Sequence, residues 1–211
     1  MNALIRVPMN LHRISVKYFL DSPQGLDLGS VIPVFHDWIR QGKVPGLLID
    51  VADYGHMVDG PGVMLIGHEV DYALDMSQGR PGLLHVRKRR SNTDADARAN
   101  TSPNGQLATV FHGALLACKY LEQENSLGTL KFNTGNAVLT YLDKLSAPNS
   151  EQTFNAVIGE IESFLSTVYQ GGQVSIQRVS SDDRDPFAVS INVTDAATLD
   201  TLIDRLAASV S

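Results

Sequence analysis

The stretch Asp53–Tyr72, DYGHMVDGPGVMLIGHEVDY, sets two histidines, four carboxylates and two tyrosines around a glycine-proline turn. Its apolar residues alternate instead of recurring at helical spacing, so it reads as strand, turn, strand. From Val63 to Leu74, residues two apart share a face. Met64, Ile66, His68, Val70, Tyr72 and Leu74 line one side, and Leu65, Gly67, Glu69, Asp71 and Ala73 the other. His68 therefore falls on the apolar side. The preceding strand, Leu47 to His56, alternates Leu47, Ile49, Val51 and Asp53 against Leu48, Asp50, Ala52 and Tyr54.

A hairpin centred on Gly60-Pro61 sets Asp53 opposite His68. A carboxylate there fixes the imidazole tautomer and holds its charge, which serves a structural histidine and a general acid/base equally well. His68 and Asp53 are the catalytic candidates, and His56, Tyr54 and Tyr72 the ligand-binding candidates of the same hairpin. The structural reading is the default, because polar groups on core faces need partners in any protein. His56, Asp59 and Asp53 supply nitrogen and oxygen donors. Their spacing matches no established zinc signature, and Asp in turns commonly serves the backbone, so no metal site is assigned. DGPG lacks the lysine and following helix of a phosphate loop, and no G-x-G-x-x-G or G-x-S-x-G occurs, so no cofactor is indicated.

Outward from this hairpin, a strand from Leu83 to Arg89 follows SQGRPG and completes a three-stranded meander. Glu69 and Asp71 then approach the basic run at Arg87 and Arg89, which predicts a cross-strand charge ladder. Upstream, Ile14, Val16, Tyr18 and Leu20 alternate as a strand, and Ser30 caps a helix carrying Phe35 and Trp38 that ends near Gly42. Downstream, residues 87–106 lose apolar periodicity and read as a long loop. Leu107 to Leu121 form an amphipathic helix whose stripe contains Cys118, with His112 beside it.

The rest reads as a short strand at TLKF, a Thr-Gly-Asn turn, a strand around AVLTYLD, and a helix capped by Asn149 or Ser150. Two strands, QVSIQRV and PFAVSINV, and a helix announced by Thr194 or Asp195 close the chain. The order of elements in 1–125 returns in 126–211, which suggests two tandem related β-α-β-β-α halves in one compact unit. The predicted class is α+β, antiparallel sheets with amphipathic helices packed on them.

Composition bounds the function. The 211 residues are 43% hydrophobic and 19% charged, enough to bury a core and far from the disordered class. A net charge of -6 argues against a nucleic-acid partner. No window reaches the roughly 20 apolar residues of a membrane span, and the single cysteine excludes an intrachain disulfide, which suits the cytoplasm. The leading expectation is a small-molecule or protein-binding module without catalytic activity, homo-oligomeric because such sheets expose strand edges. The other is a small-molecule hydrolase or isomerase using the His68/Asp53 pair.

Overall fold

The chain is described by a computed structural model over residues 13–22, 25–88 and 103–210. Strand β1 (Ile14–Leu20) is followed by α1 (Val31–Gln41), whose C-cap, Gly42, sits in the left-handed region with its N–H returned to the Trp38 carbonyl. Strands β2 (Leu48–Tyr54), β3 (Gly62–Gly67), β4 (Val70–Asp75) and β5 (Gly82–Arg87) form a meander, and α2 (Pro103–Gln123) follows. Then come β6 (Phe132–Tyr141), α3 (Glu151–Val168), β7 (Val174–Arg178), β8 (Phe187–Val193) and α4 (Leu199–Val210). Among the described residues all eight strands join one antiparallel sheet in the order β2-β3-β4-β5-β1-β6-β8-β7. The class is α+β.

In each half the first strand pairs with the last, β1 with β5 and β6 with β8. The halves meet where β1 and β6 pair, so the sheet is continuous across residues 125 and 126. The four α-helices among the described residues cover one face and share a core with it. Tyr18 meets Phe111 of α2 edge to face at 6.2 Å, Phe111 meets Phe164 of α3 at 5.1 Å, and Trp38 of α1 meets Tyr120 of α2 at 6.2 Å. The buried side chains among these each contribute roughly 1.5–3 kcal/mol, and Tyr120 is half-buried against them. Among the described residues no helix is long and apolar enough to cross a membrane.

Three expectations change. The single strand from Val63 to Leu74 is two strands that reverse at His68-Glu69, so the first-half meander has four strands rather than three. Gly67 permits the reversal. A Cβ there would stand 2.5 Å from the Val70 carbonyl oxygen, and its N–H donates to Asp71 Oδ1 at 3.1 Å. Strict alternation continues through a tight hairpin, which is why periodicity hides it. Conversely, Thr134-Gly135-Asn136 is no turn but the interior of β6. Gly135 lies there because a Cβ would come within 2.5 Å of the Val193 carbonyl on β8. The last helix begins at Leu199, not beside Thr194 or Asp195, with Thr198 accepting from the Thr201 N–H at 3.4 Å. Residues 1–12 and the central part of the expected loop, 89–102, lie outside the described residues.

Candidate functional site

The β2–β3 register decides the fate of the proposed pair. Asp53 faces Val63 across the ladder, whereas Leu48 faces Gly67 and the His68 N–H donates to the Leu47 carbonyl at 2.8 Å. Asp53 and His68 therefore stand at opposite ends of β2, about 17 Å apart along the strand at the usual rise per residue. They make no pair. The expected facing centred the hairpin on Gly60-Pro61, whereas the observed register centres it near Val58, so the position level with His68 falls at Leu47 and not at Asp53.

His68 is half exposed in the turn, where Nδ1 contacts Glu69 Oε1 at 3.0 Å. Asp53 is exposed and accepts from the Gly55 N–H at 2.8 Å, a local turn bond. His56 is exposed and Tyr54 half-buried at the Asp53 end. Asp59 accepts from the Gln78 N–H. Among the described residues no three His, Cys, Asp or Glu side chains are grouped to hold a metal. The charge ladder also takes a different partner. Asp71 pairs with Lys88 at 2.7 Å, while Arg87 is buried and Arg89 lies outside the described residues.

Of the proposed binding residues, Tyr72 lines a cavity. The cavity, of about 80 Å³, is lined by Pro45 and Gly46 before β2, by Glu69 in the β3–β4 turn, by Val70, Tyr72, His85 and Arg87 on the sheet, and by Thr109, Val110 and Gly113 of α2. Cross-strand pairing builds its floor: Val70 faces Arg87 and Tyr72 faces His85. Tyr72 and His85 stack with centroids 4.5 Å apart, and Tyr72 Oη donates to the Pro45 carbonyl at 2.9 Å, which ties the entry loop to the sheet. The Thr109 hydroxyl donates back to the Gly105 carbonyl at 2.9 Å.

His85 is the residue that the sequence reading passed over. It is 3% exposed, and its Nδ1 is sealed from solvent with no hydrogen-bond partner among the described residues. Burial lowers its imidazole to about 3. The nearby Asp71 carbonyl favours the protonated ring and partly offsets this, without giving Nδ1 a hydrogen bond, and the Arg87 charge lowers it further. The ring is therefore neutral at every physiological pH. Helix α2 makes room for it with a glycine. A Cβ at Gly113 would stand 3.0 Å from His85 Nε2, and glycine inside a helix otherwise costs about 1 kcal/mol against alanine. Two signals were present in the sequence: in Leu83-Leu84-His85-Val86-Arg87 both polar residues share the face of Leu83, and Gly113 interrupts an apolar helix stripe.

His112, next to that glycine, is half-buried, and burial lowers its pKa. Cys118 is fully buried, which raises its thiol well above the usual range and leaves it unreactive. No protein-family model, no curated protein and no solved structure matches the chain.

Proposed function

We propose that this chain is a binding protein without catalytic activity, and that it holds a small uncharged polar molecule, or the polar end of a longer one, in the cavity beneath α2. The observation that carries the reading is His85, a buried imidazole with an unpartnered Nδ1 beside an open cavity. A buried polar atom without a partner costs about 1–3 kcal/mol, and a ligand that turns the ring or shifts its neighbours so that Nδ1 opens on the cavity recovers part of that. A neutral imidazole offers one donor or acceptor at each nitrogen and no charge, which selects for amides, alcohols or carbonyl compounds. A cavity of about 150 Å³ takes benzene; one of about 80 Å³ admits a shorter group.

An imidazole held near 3 exchanges no proton near neutrality, where a general acid or base has to work. The hydrolase or isomerase reading on His68 and Asp53 draws no support from residues at opposite ends of a strand. The protein is further read as a cytoplasmic homo-oligomer. The single, buried Cys118 supports the compartment, and half-buried apolar residues on the sheet face away from the described helices support the association. The shared strand-pairing order of the halves supports the tandem-repeat reading.

The test is thermal denaturation of wild type and His85→Phe in a panel of small amides, alcohols and ketones. A ligand raises the melting temperature only by binding the folded state more tightly than the unfolded one. At least one compound is expected to stabilise wild type and to lose that effect in His85→Phe. Equal shifts in both proteins, or none in either, would remove the reading.

A further inference from the structure

We infer that the sheet face opposite the helices is the surface through which two copies of this chain stack on each other. This inference rests on reading the chain as a homo-oligomer. The strand registers place Met64 and Ile66 of β3, Ala73 of β4, Leu84 and Val86 of β5 and Val138 of β6 together on that face. None of the six belongs to the helix-side core, and all but Ala73 are only half-buried. An antiparallel sheet with one solvated face ordinarily alternates apolar-in with polar-out. Strands β3 and β5 do not, while β4 between them turns Asp71 and Asp75 outward beside Ala73.

Three features point to a second copy as the occupant. The face has the layout of an interface, with apolar residues on β3, β5 and β6 set around the internally paired Lys17, Asp71 and Asp75, and with Asp50 on β2, Asn136 and Thr140 on β6, Ser190 on β8 and Gln177 on β7 at its border. Its size suits one too: eight strands and about six residues per strand span roughly 750 Å², close to the roughly 800 Å² each partner gives to a standard interface. The charges at its centre are closed within the chain, Lys17 on Asp75 and Lys88 on Asp71. A nucleic acid or charged peptide finds no net charge to meet there, whereas a second copy meets an apolar surface without repulsion. Two such faces would interleave their side chains as a sandwich, about 10 Å between sheets.

Sedimentation velocity of the full chain over a concentration series tests this. Wild type is expected to dimerise. Leu84→Lys and Val86→Lys, at the centre, are expected to raise the dimer dissociation constant by about thirtyfold or more, with unchanged far-UV circular dichroism. Gln177→Lys at the border and removal of residues 1–12 are expected to leave the dimer intact. A wild type that stays monomeric overturns this inference and the homo-oligomer reading together. An oligomer that survives both central substitutions overturns the face alone. A monomer that dimerises only after residues 1–12 are removed assigns the face to that segment and likewise overturns the inference.

Discussion

His85 lies flat against Tyr72, ring centroids 4.5 Å apart and planes 29° from parallel, and Tyr72 in turn holds the Pro45 carbonyl. Through this contact the β4–β5 ladder, the loop before β2 and the middle of α2 meet at one small cavity. The consequences are measurable in stability, in protonation and in ligand binding.

Acid should weaken the fold through His85. Its imidazole falls from 6.5 in the unfolded chain to about 3 when folded. Below 6.5 the unfolded chain takes up a proton that the folded chain refuses. The contribution is therefore complete above about 6.5 and is lost as the pH falls toward 3. Over that window the loss is roughly 3–5 kcal/mol. His112 is shifted in the same direction by burial and adds to the same limb. Urea denaturation of wild type and His85→Phe across the window is expected to show a distinctly shallower decline in the variant; equal slopes would contradict the buried neutral ring.

Two glycines inside helices should respond oppositely to alanine. At Gly159 of α3 an added Cβ meets nothing within 4 Å, so Gly159→Ala is expected to stabilise by about 0.5–1 kcal/mol. At Gly113 the same methyl presses on the His85 ring at 3.0 to 3.4 Å. Gly113→Ala is expected to gain nothing or to lose about 1 kcal/mol. Equal gains at both positions in chemical denaturation would show that His85 does not need the glycine.

The architecture followed from periodicity because alternation and helical spacing are local properties. Tyr18 with Leu20, Phe35 with Trp38, and Leu107 through Leu121 fell on the core faces their spacing predicts. Register did not follow, because it depends on where chains reverse. One hairpin at His68-Glu69, hidden inside an unbroken alternation, moved His68 into solvent, and a β2–β3 turn centred near Val58 instead of Gly60-Pro61 separated it from Asp53. The stretch Asp53–Tyr72 drew notice for its density of titratable groups, most of which serve turns. The buried site takes Glu69, Val70 and Tyr72 from the end of that stretch and His85, Arg87 and Gly113 from segments that read as plain strand and helix. Pairing across strands created it, and no local pattern carries that information.

Lys17 and Asp75 form an ion pair almost closed to solvent, with side chains 10% and 5% exposed, and Asp75 also accepts from the Ser77 hydroxyl at 2.6 Å. Removing one partner leaves a charge stranded near the sheet centre. Lys17→Met and Asp75→Asn are each expected to destabilise by about 3–5 kcal/mol. Replacing both with apolar residues of similar size is expected to cost much less. A double variant as unstable as the sum of the singles would argue that the pair is not coupled.

Tyr72→Phe keeps the ring stack and removes only the bond to Pro45. The expected cost is about 1 kcal/mol, with faster amide exchange confined to the segment before β2. Faster exchange across β4 and β5 as well would mean that the hydroxyl supports the ladder and not only the loop.

The most direct test is nitrogen-15 NMR of the His85 ring while a panel of small amides, alcohols and ketones is titrated in. The cavity reading predicts that a compound which raises the melting temperature also shifts the His85 ring nitrogens and the Gly113 amide, and that Gly113→Ala weakens it. Compounds that stabilise the protein while leaving His85 and Gly113 unmoved would contradict it.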